Sequence, residues 1–308
     1  MCIELPKIIA IVGTTASGKS SLGIELAKIF GGEIISADSR QVFRGFDLCC
    51  GKITAEEAQI VPHHLIDIRN IGEPFSVYDF QKLTYSLIPQ ILNRAGIPFI
   101  VGGTGLYVRA VVRGYPIPDE SIDIALREEL EKLPIDELKA RLTFEGKALI
   151  DSNPSDSQNK RRIIRMLEKS AHGESLYTEN VARYNVLQLG VTWPKEKLHE
   201  LIEERLEKRI NQGMINEIKE YLDNGGNQEY LVKLGLEYSN ILGYLTGKYQ
   251  SLDEFKLKMA QAIKRLAKSQ TTWYRSDNSI KWLDMNADYL GQATSLISDF
   301  LGPSQNKR

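Results

Sequence analysis

Four short stretches carry residue types able to do chemistry, at spacings that give the chemistry a direction. GTTASGKSS (13–21) fits G-x-x-x-x-G-K-[ST], with Gly13, Gly18, Lys19 and Ser20 in the fixed places and Thr14, Thr15, Ala16 and Ser17 between them. Glycines in such a bend let backbone N–H groups turn inward to an anion, the lysine adds a point charge, and the serine hydroxyl suits Mg²⁺. Asp38, in SADSRQVFRG, directly follows the apolar run EIISA. A carboxylate there can serve as a base for an incoming nucleophile or as a Mg²⁺ contact, or it can cap a helix or turn. VGGTGLY (101–107) sets the hydroxyl of Thr104 among Gly102, Gly103 and Gly105, either for close approach to a ligand or for a tight turn. Arg205 falls within the apolar seam Leu198, Leu201, Ile202, Leu206 and Ile210, with Arg209 one turn on. An arginine against a buried seam needs an anionic partner, which is either a structural carboxylate or a pyrophosphate matched to the guanidinium fork. His63 and His64 lack further ligands at metal spacing, and neighbours in an extended segment point apart, so capping or packing is expected of them rather than zinc.

These residues need a frame. Apolar runs IIAIV (8–12), EIISA (33–37), FIV (99–101) and LQLGV (187–191) have the look of buried strands, with helical patterns such as 77–96 between them. Strand–helix alternation, with the phosphate loop on the first strand, predicts a parallel α/β sheet of P-loop NTPase-like kind, flanked by helices. Ligands of such sheets gather at the carboxyl ends of the strands. A helix starting near Lys19 points its positive end at the loop. The segment 116–186 is helical and charged, and is expected to form an all-helical insertion domain within a catalytic core of 1–115 and 187–308. Two long helices are expected over 197–222 and 253–275, and a last short strand over 279–284.

The chain has 308 residues, a formal net charge of −1 and three cysteines, Cys2, Cys49 and Cys50, which make no disulfide framework. No run is apolar enough to span a membrane and the N-terminus lacks a signal-peptide layout, so a reducing cytoplasm is the expected setting. The balanced total hides two basic stretches, KRRIIRMLEK (160–169) and residues 256–275, which fit either a polyanion or two solvated helix faces. A hydrophobic run ending in Asp-Glu and an arginine-rich lid are both lacking, so the loop need not serve ATP.

In order, GTTASGKS, DSRQVFRGFD, VPHHLID, FSVYDF, VGGTGLYVRAVVRG, NKRRIIRMLE, RLEKRINQGMINEI, ILGY and LAKSQTTWYR resemble the motifs of the bacterial tRNA dimethylallyltransferase family, over residues 8 to 275. The resemblance implies that the loop cradles the pyrophosphate of dimethylallyl diphosphate, and that the acceptor is the exocyclic amine of the adenosine 3′ of the tRNA anticodon. It implies that Asp38 takes the proton of that amine, and that Lys19, Arg205 and Mg²⁺ at Ser20 hold the leaving charge, with Thr104 near the transferring group. The base must leave its stack to react. Asp38, Ser39, Arg40 and Gln41, together with Thr104 and Gln158, Asn159, Lys160, Arg161 and Arg162, match family segments that touch tRNA, and Arg127 matches a further contact. Lys264, Arg265 and Lys268 would lie along anticodon-stem phosphates. A monomer with no obligate protein partner suffices. This sequence departs from the family pattern at Thr14, at Cys49 and Cys50, at Ser269, and at Arg209, where methionine is frequent. Competing readings are a P-loop kinase, a transferase acting on free adenine nucleotides, and a tRNA-binding module with a relic loop.

Overall fold

The first strand sorts its side chains to two sides. Ile8, Ala10 and Val12 enter one apolar cluster and Ile9 and Ile11 another, and all five are fully buried. That is why IIAIV is apolar at every position rather than alternating: a parallel strand covered on both faces has no wet side. The computed structural model describes residues 4–117, 123–152, 157–176 and 179–302, and Cys2 falls outside them.

From the N-terminus the order is β1 (Lys7–Gly13), α1 (Lys19–Phe30), β2 (Gly32–Ser36), α2 (Asp47–Cys50), α3 (Ala55–Ile60), β3 (His63–His64), α4 (Val77–Asn93), β4 (Ile97–Gly102) and α5 (Gly105–Val112). Then come α6 (Ile124–Lys132), α7 (Ile135–Arg141), α8 (Phe144–Ser152) and α9 (Lys160–Ala171). The chain continues as β5 (Asn185–Thr192), α10 (Lys195–Asn211), α11 (Met214–Asp223), α12 (Gln228–Leu234), α13 (Leu236–Leu245), α14 (Leu252–Arg275), β6 (Ile280–Asp284) and α15 (Tyr289–Leu301).

The strands form a 6-stranded parallel sheet in the order β3-β2-β4-β1-β5-β6. One face packs on α1 and α15 through Leu22, Leu26, Ala293 and Ile297. The other packs on α4, α5 and α14 through Phe80, Ile88, Val108 and Tyr274. A third apolar cluster joins α10, α11, α13 and α14 around Ile202, Ile218, Tyr238 and Phe255. The register aligns Val12 with Gly102 and Ser36 with Val101, so β1, β2 and β4 end level and side by side. The segments after these three strands carry the phosphate loop, Asp38 and Thr104. The strand order is therefore what brings together residues far apart in sequence.

Chain contacts divide the molecule into two compact units: Met1–Gly114 with Ala182–Arg308, and Tyr115–Val181. The second unit is helical, with its own core of Leu130, Leu138, Ile150, Ile163 and Leu167.

Several boundaries differ from the sequence expectation. The helix expected over 197–222 is two, because Gly213 takes φ 104°, a left-handed value that ends α10 and sets α11 on a new axis. In the insertion the pattern PIDELKARLTFEGKAL is likewise two helices, since Leu142 is extended at ψ 141°. The helix expected to reach 96 ends at Asn93, ahead of Ala95 at φ 60°. Helices α12, α13 and α15 carried no recognised signal. Among the described residues, no helix is long and apolar enough to cross a membrane.

Candidate active site

Gly13 closes β1, and Ala16 at φ 59° and Gly18 at φ 86° turn the chain into α1, with Gly18 at the helix N-cap. The bend is tied down internally. Ser17 Oγ donates to the Thr14 carbonyl at 2.8 Å, Lys19 Nζ to the same carbonyl at 3.1 Å, and Trp193 Nε1 to the Ser17 carbonyl at 3.0 Å. The Thr15 amide donates to Gln270 Oε1 at 2.8 Å, and Gln270 Nε2 donates to the Gly103 carbonyl at 3.1 Å, so one side chain from α14 latches the first glycine-rich bend to the second.

The bend after β2 is fastened in the same manner. Asp38 Oδ1 accepts the Arg40 amide at 2.8 Å, which makes Asp38 a turn aspartate and leaves Oδ2 without a protein partner among the described residues. The Thr104 hydroxyl, expected to be free, accepts the Ser39 amide at 3.1 Å, and the Thr104 amide donates to the Ala37 carbonyl at 3.1 Å. Among the described residues the hydroxyl proton of Thr104 has no acceptor. Gly102 is required at this junction, because a Cβ there would run into the Ala37 backbone.

Lys19, Ser20, Asp38, Thr104, Arg205, Arg209 and Gln270 line one cavity of about 380 Å³. Arg205 Nη1 donates to Thr15 Oγ1 at 3.3 Å, reaching the phosphate loop from α10. Neither Arg205 nor Arg209 forms an ion pair among the described residues, so the salt bridge that the sequence left open for Arg205 is not made, although the charges of Glu237 and Asp38 act on it from farther off. Burial brings the Lys19 ammonium down to about 8, with the Arg205 charge adding to the effect and Asp38 opposing it. Burial and then the neighbouring Arg209 bring Arg205 to about 10. Lys19, Arg205 and Arg209 crowded into a cleft with the half-buried Asp38 and Glu237, and ion-paired to neither, form a site that an anion would relieve. Gly51 permits the crowding, because a side chain there would occupy the space of the Arg209 and Arg205 guanidinium groups.

Cys49 and Cys50 sit on α2, whose leading amides, Leu48 and Cys49, are capped by Glu217 at 2.8 and 2.9 Å. Cys49 is buried, and burial pushes its thiol far up. Cys50 borders the cavity, and burial pushes its thiol up to about 12, so neither serves as a thiolate. Gln41 stands beneath, bonded to Ser36 Oγ at 2.8 Å and to the Gly51 carbonyl at 3.0 Å. His64 Nε2 meets Glu33 at 2.7 Å and His63 Nδ1 meets the Val61 carbonyl at 2.8 Å, while no group of three metal-ligating side chains occurs among the described residues.

The remaining candidates lie elsewhere. Lys264, Arg265 and Lys268 border a separate cavity of about 550 Å³, with Trp193, His199 and Trp282, on the side of the loop marked by Gly13 and Thr14. Lys264 is paired to Glu203 at 2.6 Å, whereas Arg265 and Lys268 are exposed. In the insertion, Asn159 caps α9 by accepting the Arg162 amide at 3.2 Å, and Lys160 Nζ donates to the Glu131 carbonyl at 2.7 Å. Gln158, Arg161 and Arg162 are exposed, as is Ser269 on α14. Arg127 is held by the buried Glu168 through two bonds of 2.6 and 2.7 Å, a structural employment that the sequence did not announce. Gln270, Arg209, Gly51 and Glu237 are site residues that the sequence reading passed over or set aside. Gln270 was within view, inside the quoted stretch LAKSQTTWYR.

Parallel sheet, glycine-rich loop after its first strand and cationic cleft define a P-loop-like α/β protein. A family model described as IPP transferase matches residues 41–277, and the chain belongs to that family. It is 38% identical over 300 residues to tRNA dimethylallyltransferase 2 of Citrifermentans bemidjiense, covering 96% of each chain. It is 40% identical to the tRNA dimethylallyltransferase of Carboxydothermus hydrogenoformans, covering 94% of this chain and 96% of the relative. The crystal structure of the full-length tRNA isopentenylpyrophosphate transferase from Bacillus halodurans superposes with a TM-score of 0.71 at 35% identity, covering 98% of this chain and 97% of that one. A eukaryotic dimethylallyltransferase acting on tRNA shares the fold, with a TM-score of 0.76 at 23% identity.

Proposed function

We propose that the protein transfers a dimethylallyl group from dimethylallyl diphosphate to N6 of the adenosine 3′-adjacent to the anticodon of tRNA. The observation that carries this is the single cavity where Lys19, Arg205 and Arg209 face Asp38 without a carboxylate pairing either arginine. The exocyclic amine of adenine is a weak nucleophile, since its lone pair is delocalised into the ring. Asp38 Oδ2, left open while Oδ1 is fixed by Arg40, accepts the N6 proton as the bond from N6 to the allylic carbon forms. The bond from that carbon to the diphosphate oxygen breaks, and the oxygen leaves with the electron pair toward Lys19, Arg205 and the loop amides. The Thr104 proton is available to an oxygen of the same group.

Ser20 offers the same cavity a hydroxyl that suits Mg²⁺, an ion that prefers few protein ligands and would draw on phosphate and water for the others. Bound there, the ion would neutralise diphosphate charge. For the tRNA, Ser39, Arg40 and Gln41 on the cleft and Gln158, Arg161 and Arg162 on the insertion supply polar and cationic contacts. Kinase chemistry and transfer to free adenine nucleotides are not favoured by membership of the IPP transferase family. The test is to incubate the protein with Mg²⁺, labelled dimethylallyl diphosphate and unmodified tRNA, AMP or ATP. Label should enter tRNA alone; turnover of ATP without label transfer would overturn the proposal.

A further inference from the structure

Glu237 has no task in the reaction described above, yet it stands among the reaction's cations. It lies in the first turn of α13, behind Gly235 at φ 122°, and its side chain faces the cavity that holds Lys19, Arg205 and Arg209. The same three side chains, Glu237, Arg205 and Arg209, with Thr15, line a recess of about 10 Å³ floored by Ile202, Met259 and Ile263. That is about the space of one water molecule. The Glu237 carboxylate interacts with its own backbone amide, but among the described residues it forms no ion pair, and neither arginine reaches within 4.0 Å of it. A carboxyl group that shares a recess with apolar side chains and two guanidinium groups, and is ion-paired to neither, is placed to share a ligand's cations rather than to hold the fold.

Resting on the functional reading above, we propose that Glu237 is the counter-charge of the Arg205–Arg209 pair, that it takes up a proton from solvent when diphosphate occupies the cleft, and that its return to carboxylate helps release the product. With the cleft empty, the carboxylate offsets the repulsion of two adjacent arginines. With diphosphate bound, three or more negative charges compete for the same guanidinium groups, and an ionised Glu237 repels them. Protonation removes that repulsion and the carboxyl stays in place. When the proton is lost again the repulsion returns, which weakens the grip on a product that would otherwise bind very tightly to three cations.

The surroundings agree from each side. On α10 the facing charges are Arg205 and Arg209, in the bend after β2 they are Asp38 and Arg40, and on the phosphate loop it is Lys19. From α2 comes the Cys50 thiol, held protonated, and from α13 the buried Tyr238 hydroxyl, also pushed up by burial. Helix α14 contributes Met259, Ile263, Leu266 and Gln270 and no charge. Burial already holds the Glu237 carboxyl above its ordinary range, against the pull of its own backbone amide and then of Arg209, so the added charge of a ligand acts on a group already shifted toward its protonated form.

The experiment is calorimetric titration of the full-length protein with inorganic diphosphate and Mg²⁺ at neutral pH, repeated in two buffers of different ionisation enthalpy. Wild type should take up more protons per diphosphate than Glu237→Gln under the same conditions, a comparison that cancels the ligand's own protonation. Glu237→Gln and Glu237→Ala should both bind diphosphate about tenfold more tightly, the scale of removing one like charge about 12 Å away at an effective dielectric of about 20. In steady state Glu237→Gln should lower kcat while sparing kcat/KM for the prenyl diphosphate, because only product release is slowed. Equal proton uptake, or affinity unchanged or weakened in either variant, overturns the inference and leaves the functional reading intact. A wild-type protein that binds no diphosphate overturns both.

Discussion

The side-chain carbonyl of Gln270 accepts the amide of Thr15 at 2.8 Å, across 255 positions of sequence. Through its other arm, bonded to the Gly103 carbonyl at 3.1 Å, the same residue ties the first glycine-rich bend to the bend that carries Thr104. The latch belongs to α14, whose packing on the sheet and on α10 and α13 gives it a fixed origin.

Gln270→Ala should therefore loosen the two bends relative to each other. The expected result is a rise in KM for the prenyl diphosphate of about tenfold, with a loss of stability of about 1 kcal/mol per buried bond removed. Steady-state kinetics and thermal unfolding measure both, and unchanged kinetics would show that the latch is idle.

Asp38→Asn keeps the turn, because its side-chain oxygen still accepts the Arg40 amide, but removes the proton acceptor. Transfer should fall by about 10²- to 10⁴-fold. RNA affinity, followed by filter binding, should stay within a factor of about two, since a single charge at the cleft is a small part of a polyelectrolyte contact. Loss of binding with normal single-turnover chemistry would assign Asp38 to RNA recognition instead.

The Lys19 ammonium, brought down to about 8, gives the cleft a pH dependence of definite sign. A base whose pKa is lowered loses its charge as pH rises through the lowered value. Affinity for diphosphate should hold below pH 8 and decline above it, before any arginine titrates. Titrations with inorganic diphosphate across this range check the sign. Lys19→Arg should shift the decline to higher pH, toward that of the arginines.

Arg127 holds the buried Glu168 within the insertion. Its removal leaves Glu168 buried with Arg165 at 3.3 Å as the remaining partner. Arg127→Ala should cost about 2 kcal/mol, seen as faster hydrogen exchange in α6 and α9 with the sheet amides unchanged. A fall in RNA affinity at unchanged stability would return the residue to the RNA contact that the sequence resemblance implied.

Arg265→Ala with Lys268→Ala should test the second cavity. If RNA phosphates lie there, the logarithmic salt slope of tRNA binding should flatten by about one to two units. An unchanged slope would remove this face from the interface.

Much of the site was legible because its residues are local signals. The phosphate loop announces itself by spacing, and Asp38 and Thr104 follow apolar runs that could only be strand ends. The fold class followed from the same alternation. What could not be read was set by three-dimensional neighbours. Nothing in the sequence near Thr104 says that Ser39 donates to its hydroxyl, since the two meet only because β2 lies beside β4. Arg205 was visible as an arginine in an apolar seam, but the absence of a carboxylate partner needed the packed structure. Glu237 looked like one acid among many, because its meaning comes from α10, another element. Gly213 lay in plain view inside the stretch expected as one helix over 197–222, and it is where that helix breaks.

The central claim is that the first glycine-rich bend grips the diphosphate while Asp38 faces the acceptor amine. It is tested most directly by a crystal structure with dimethylallyl thiodiphosphate, a slowly reacting analogue, and an anticodon stem-loop. The account predicts phosphate oxygens within about 3 Å of the loop amides and of Lys19 or Arg205, and Asp38 Oδ2 within about 3 Å of N6 of an extruded adenosine. A diphosphate seated away from residues 13–20, or an adenine amine out of reach of Asp38, would contradict it.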